Sequence, residues 1–154
     1  MRFDPPVAAF RAANVCQGPD RPTRQPNAWV AAADDPEPAI QLAWAQPQEI
    51  ALVELSFDTD FDHPMESVLW GHPERVMPFC VRRYRIFDGR GTLLAEVAAN
   101  HQTRNSIQFP QPVRTDKLRV ELEHPSGVVP AALFRVRCYG RIDLAGANAG
   151  TRPS

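Results

Sequence analysis

The stretch EIALVELSF, residues 49–57, alternates apolar and polar side chains along most of its length. Successive side chains of a β-strand point to opposite faces, so Val53, Leu55 and Phe57 share one face and the polar residues between them share the other. The stretch KLRVELE, residues 117–123, repeats this alternation. Both stretches predict strands with one buried and one solvated face.

The same pattern recurs along the chain, and no convincing long helix competes with it. Further strand-length segments are AIQLAW (39–44), CVRRYRIFD (80–88), TLLAEVAA (92–99), SIQF (106–109) and ALFRVRCYG (132–140). FDGRGT (87–92) predicts a hairpin turn, for which Gly89 and Gly91 are able to take positive φ. About seven or eight antiparallel strands with one-sided burial predict an all-β protein, an antiparallel β-sandwich of the jelly-roll type.

Length and charge limit the possible functions. The 154 residues, 44% of them hydrophobic, suffice for one domain with a core, which we place at residues 1–142, followed by a flexible tail at 143–154. The net charge is −1 and positive charge is spread along the chain, so neither nucleic acid nor an anionic membrane is expected as a partner. No run approaches the roughly 18 to 20 apolar residues of a membrane span, and no signal peptide is recognisable, which favours a cytoplasmic location.

The cysteines and the short motifs argue against catalysis by this chain. Cys16, Cys80 and Cys138 are odd in number and widely separated, so we expect free, buried thiols instead of a disulfide framework or a zinc ribbon. Burial would raise the pKa of Cys80 and suppress its nucleophilicity. No Gly-x-Ser-x-Gly elbow occurs. We predict no catalytic residues.

Two long segments, about 14–38 and 58–79, interrupt the strand pattern, and loops of this length in a compact domain are usually functional or disordered. The second holds a series of acids and histidines, and three interpretations stay open: a loop held by arginines and backbone hydrogen bonds, a divalent cation site, or a ligand or catalytic site. The EF-hand pattern fails because its glycine is missing and Leu69 stands where the bidentate glutamate belongs. His63 and His72 lack a known zinc spacing, so we predict no metal.

An ordered series of motifs carries a family resemblance over residues 10–140. They are NVCQGPDRPTRQPNAW (14–29), SFDTDFDHPMESVLWGHPERVMPFCVRRYRI (56–86), EVAANHQTRNSIQFPQPVRTDKLRVELE (96–123) and FRVRCYG (134–140). The series resembles the C-terminal module of bacterial FAD-dependent oxidoreductases, which is similar in fold to discoidin, or galactose-binding-like, β-sandwiches.

The resemblance implies an accessory role. In such enzymes the flavin belongs to another domain, and this chain has no Gly-x-Gly-x-x-Gly in a βαβ context, so we expect no FAD and no other cofactor. The implied function is a non-catalytic interaction module that docks on a flavin-dependent oxidoreductase chain. The alternative is a carbohydrate-binding module of the galactose-binding-like type.

Discoidin-like modules often hold a structural calcium ion, which the resemblance places beside Asn14 and Asp20, with a glutamate from the last strand. Arg135 stands where that glutamate is expected. A guanidinium beside a cation is unfavourable, which argues against calcium.

The candidate binding residues come from the second long segment and from a polar turn after it. Trp70 is the main candidate, with contact to a partner protein, packing within the chain and stacking on a sugar as alternatives. Trp44 is expected in the core and Trp29 as an anchor for its loop. The segment contributes Asp60, Asp62, His63, Met65, Leu69, Trp70, His72 and Met77. The turn contributes Asn100 and Arg104, for which a structural role is the favoured interpretation and ligand binding the alternative.

Overall fold

The structure, a computed structural model, describes residues 10–59 and 77–140. One 3-10 helix, Ala12–Cys16, precedes strands β1 (Trp29–Val30), β2 (Ala39–Ser56), β3 (Tyr84–Asp88), β4 (Leu93–Val97), β5 (Arg104–Leu122), β6 (Ala132–Leu133) and β7 (Arg135–Tyr139). All strand pairings are antiparallel. The predicted all-β antiparallel architecture is confirmed, while the predicted flexible tail, 143–154, lies outside the described residues.

Two strands dominate the topology. The main sheet has the order β4-β3-β5-β2-β7, and β1 and β6 form a separate pair. β2 and β5 pair with each other from Ala39 opposite Glu121 to Ser56 opposite Arg104. Within the described part of the chain no helix is long and apolar enough to cross a membrane.

Two bulges interrupt the pairing of β2 with β5. Residues 44–47 of β2 lie opposite Asp116 alone, and residues 109–112 of β5 lie opposite Ala51 alone. The first bulge contains Pro47, and the second contains two prolines. Bulges bend a strand and leave residues unpaired, so they accept proline where a regular ladder would not.

The bends bring the two ends of β2 towards each other. A straight strand of 18 residues would be about 60 Å long. Tyr84 pairs with Leu122, and the amide of Leu122 donates to the carbonyl of Pro38, which lies just before β2. The ring of Tyr84 also lies 5.2 Å from the ring of Phe57, which lies just after β2. β2 and β5 therefore fold back and contribute to both layers of the sandwich.

The first layer is β4, β3, the C-terminal half of β5 and the N-terminal half of β2; the second is the other halves of β5 and β2 with β7. The largest fully buried side chains belong to both layers and to adjoining loops: Val15, Val53, Leu55, Phe57, Val81, Tyr84, Ile86, Leu118, Val120 and Leu133. Trp29 and Trp44 are only partly buried and pack against this core. Trp44 was predicted to lie in the core; it packs against the core but is only partly buried.

Several predicted strand boundaries are wrong. The segments 39–44 and 49–57 are one strand, as are 106–109 and 117–123, because the prolines between them lie in bulges and do not end the strand. Residues 80–83 lie outside β3, and the last segment is divided at Phe134.

The predicted hairpin turn joins β3 to β4, but only one of its glycines has positive φ. Gly91 has φ 82°, whereas Gly89 does not have positive φ; a Cβ at Gly89 would lie 2.7 Å from a carboxylate oxygen of Asp116, so a larger residue there would require the Asp116 side chain to move. The carboxylate of Asp88 accepts hydrogen bonds from the amides of Arg90 (2.9 Å) and Thr92 (2.8 Å) and so stabilises the turn.

Candidate binding surface at the loop end

Three chain segments meet where β2 ends and β5 begins. The amide of Phe57 donates to the carbonyl of Thr103 (2.7 Å), and the hydroxyls of Thr59 and Thr103 are 2.6 Å apart. The Nδ2 of Asn100 lies 3.5 Å from the Sγ of Cys80. Residues 57–59, 77–80 and 99–104 are therefore neighbours, and together they are named the loop end. The two described flanks of the segment 58–79 thus lie beside the polar turn. The sequence analysis proposed both this segment and this turn for binding.

Asn100 is buried, with 5% of its surface exposed. Its Nδ2 donates to the carbonyl of Val81 (2.9 Å), while its Oδ1 accepts from the amide of Gln102 (2.9 Å) and from the Nδ2 of Asn105 (2.6 Å). Both ends of the side-chain amide are used within the fold, so Asn100 holds the turn in place. This arrangement favours the structural interpretation of Asn100 over the binding one.

Two apolar side chains are exposed at the loop end. Met77, a sequence candidate, is 40% exposed, and Phe79 is 39% exposed. Phe79 lies in a turn directly before Cys80, and its ring is exposed while the thiol of Cys80 is buried. His101 and Gln102, both exposed, supply polar groups on the adjoining turn. Phe79 was absent from the predicted candidates, and no periodic pattern in the sequence marks its exposure.

The remaining sequence candidates, Asp60, Asp62, His63, Met65, Leu69, Trp70 and His72, lie outside the described residues. Their roles stay predictions.

Arg104 is part of an arginine cluster that holds the early loop, residues 17–28 between the 3-10 helix and β1. Arg137 contacts both carboxylate oxygens of Asp20, at 2.6 and 3.1 Å, and Arg104 pairs with one of them. Two-point contact with a carboxylate is the strongest geometry for an arginine ion pair. Arg104 is thus already paired to an acid of the early loop, which supports a structural role.

The residues at the early loop do not fit a calcium ion. The guanidinium of Arg135 donates to the carbonyl of Gly18, and the Nδ2 of Asn14 donates to the carbonyls of Pro26 (2.7 Å) and Ala28 (3.1 Å). These donors engage carbonyls of the kind that a cation would use as ligands. Within residues 10–59 and 77–140 no group of three His, Cys, Asp or Glu side chains could hold a metal ion.

The cysteines are free, as predicted, but they differ in environment. The pKa of Cys80 is raised to about 11, chiefly by burial and next by the nearby Asp58 carboxylate, while Arg82 acts in the opposite direction. Burial likewise raises the pKa of Cys138, which is partly buried, to about 12. Cys16 is exposed, so its predicted burial is wrong. Suppressed thiolate formation at Cys80 agrees with the sequence argument against a thiol nucleophile.

Comparison by sequence identified no relative. No family model matches the chain, and no curated protein matches it.

Comparison by structure identified many similar folds. The family 32 carbohydrate-binding module of C. perfringens NanJ in complex with galactose has a TM-score of 0.60 and 12% identity, over 86% of each chain. The lectin domain of lectinolysin in complex with Lewis B antigen has a TM-score of 0.60 and 12% identity, over 88% of each chain. Chitosan-binding module 1 of a chitosanase/glucanase from Paenibacillus sp. IK-5 has a TM-score of 0.59 and 15% identity, over 87% of this chain and 88% of that one.

These similarities confirm the predicted galactose-binding-like β-sandwich. At 12 to 15% identity they establish the fold alone. They do not bear on the predicted flavin-dependent oxidoreductase context.

Proposed function

We propose that this chain is a non-catalytic carbohydrate-binding module. The observation that carries the proposal is the fold similarity to the NanJ module and to the lectinolysin lectin domain, each in complex with a carbohydrate and each matched over at least 86% of both chains. The alternative function of the sequence analysis is therefore better supported than docking on an oxidoreductase.

The loop end supports the proposal with local chemistry. A sugar site needs an apolar or aromatic surface for the ring faces and polar groups for the hydroxyls. The exposed ring of Phe79 lies next to a turn that carries the exposed side chains of His101 and Gln102. The side-chain hydrogen bonds of Asn100 to Val81 and Gln102 fix the backbone of this turn, which carries the polar groups.

The test is a glycan-array screen of the full chain, followed by calorimetric titration of the tightest ligand against wild type and Phe79→Ala. Covering about 50 Å² of the ring contributes about 1.3 kcal/mol at about 25 cal/mol per Å², so the variant should bind about tenfold more weakly.

Phe10→Ala is the matched control, because Phe10 is also an exposed phenylalanine, 47% accessible, and precedes the 3-10 helix. Its affinity should equal that of wild type. Failure of the folded chain to bind any glycan on the array would contradict the proposed function. Equal affinities of Phe79→Ala and wild type would remove the loop end as the site.

Docking on another protein is the second candidate, and the exposure of both Met77 and Phe79 favours it. Adjoining exposed apolar side chains are typical of interface cores. The flavin-dependent partner rests on the sequence resemblance alone. We expect the full chain, expressed in its source cells, to co-purify with a flavin-containing protein that is recognised by its absorbance and by mass spectrometry.

Trp70→Ala tests the predicted anchor of that interface. The variant should fold like wild type and bind the flavoprotein at least about 2 kcal/mol more weakly, which is the range of an interface hot spot. Loss of folding in this variant, or purification of the wild-type chain without a flavoprotein, would count against docking.

A further inference from the structure

A groove of about 360 Å³ lies on the outer face of the first layer, beside the turn between β3 and β4. Its side-chain lining is Gln41, Phe87, Asp88, Lys117, Arg119 and Glu121. The groove is at the opposite end of β3 from Tyr84, which lies by the loop end. β3 is 5 residues long, so about 15 Å separates the two ends of this strand.

The strand register explains the shape of the groove. Gln41 and Phe87 both lie directly opposite Arg119, so these side chains form a row across β2, β5 and β3. On either side of Gln41, β2 presents only the small side chains of Ala39 and Ala43. Because alanine does not rise above the sheet, the space beside the larger side chains of β5 stays open.

The acidic side chains of the groove are already engaged within the fold. The carboxylate of Glu121 contacts Arg85 at 3.0 Å and Arg119 at 3.1 Å. The carboxylate of Asp88 accepts two backbone amides of the turn. These acids therefore have less capacity to attract a cation than their number suggests.

The basic side chains of the groove retain unused donors. Within residues 10–59 and 77–140 the ammonium of Lys117 forms no ion pair, and it is the only lysine of the sequence. Arg119 uses its Nε for Glu121, and its side chain is 44% exposed. Lys117 lies close to the turn, since a Cβ on Gly89 would be 3.4 Å from its Cβ. Two positively charged groups with free donors thus face a groove whose third side is the ring of Phe87.

We propose that this groove is a separate binding site for an acidic sugar unit, in which Lys117 and Arg119 bind the carboxylate of a uronic acid and Phe87 contacts the sugar ring. A carboxylate matches paired ammonium and guanidinium donors, while an aromatic side chain offers an apolar surface to the ring. Gln41 adds an amide that can donate to or accept from sugar hydroxyls. The choice of a sugar as the bearer of the carboxylate rests on the proposed function.

Calorimetric titrations of the full chain with an oligogalacturonate tetrasaccharide and with a neutral galactotetraose test the proposal. The acidic ligand should bind about tenfold more tightly at low salt, as expected for one charge-assisted contact. The preference should shrink in about 0.5 M NaCl, where charges are screened over a few ångströms. Lys117→Gln should abolish the preference, while Lys117→Arg should preserve it.

Arg24→Gln is the matched control, since it removes the same charge from an exposed residue of the early loop. It should leave the preference intact. Loss of the preference in Arg24→Gln and not in Lys117→Gln would overturn the groove site and place the acidic ligand near the early loop. Equal affinities for the two tetrasaccharides would also overturn the groove site. That result would leave the proposed function standing, because the function is tested separately by the glycan array and by Phe79→Ala.

Chemical labelling gives an independent readout, because acylation can modify only one side-chain amine in this chain. The tetragalacturonate should slow acylation of Lys117, measured by peptide mass spectrometry, and leave acylation of the terminal amine unchanged. Unchanged labelling of Lys117 at a saturating concentration of this ligand would contradict the proposal.

Discussion

Replacement of Asn100 by alanine should destabilise the fold by about 2 to 4 kcal/mol. The substitution removes three hydrogen bonds of a buried amide to nitrogen or oxygen and a weaker one to the Sγ of Cys80. The carbonyl of Val81 lies on a fully buried residue, so its unmet acceptor costs about 1 to 3 kcal/mol. The amide of Gln102 and the side chain of Asn105 are less buried and can recruit water, which limits their cost to about 0.5 kcal/mol each.

Urea denaturation, followed by the near-ultraviolet signal of the tryptophans, measures this loss. With a slope of about 2 kcal/mol per M, a loss of about 3 kcal/mol shifts the midpoint down by about 1.5 M. The slope itself should not change. His101→Ala is the control in the adjacent exposed position and should cost less than about 0.5 kcal/mol.

A loss below about 1 kcal/mol in Asn100→Ala would refute the reasoning that the amide holds the turn. Asn100 would then return to the group of candidate ligand-binding residues. A smaller slope together with a lower midpoint would show that the variant no longer unfolds between the same two states.

Three further predictions follow from particular residues. Gly91→Ala should cost about 1 kcal/mol in urea denaturation because Gly91 has φ 82°, whereas Gly127→Ala, at a position with open space and no positive φ, should cost almost nothing. At pH 8 iodoacetamide should alkylate the exposed Cys16 first; with a pKa of about 11, only about one thousandth of Cys80 is thiolate at that pH, and its labelling, followed by mass spectrometry, should rise as the pH approaches 11. Excess EDTA should leave the melting temperature within about 1 °C, because Arg135 occupies the carbonyl that a cation would need; a large loss that calcium restores would refute this.

Local patterns accounted for part of the candidate site. The sequence analysis proposed both the polar turn and the long segment before β3 for binding, but only the structure shows that their described residues lie side by side. The exposure of Phe79 and the pairing of Arg104 with Asp20 depend on contacts between distant parts of the chain. Such contacts leave no periodic signal in the sequence.

The sequence by itself determined the fold class and the turn between β3 and β4, because side-chain alternation and turn composition are local properties. Only the tertiary structure decided that β2 and β5 each pass through both layers, since the bulges around Pro47 and opposite Ala51 become visible only in the pairing register. The groove beside Lys117 also depends on the pairing register, which sets Gln41, Arg119 and Phe87 in one row. A register shift of one residue would move a whole set of side chains to the other face, and that register is set by packing between segments far apart in the chain.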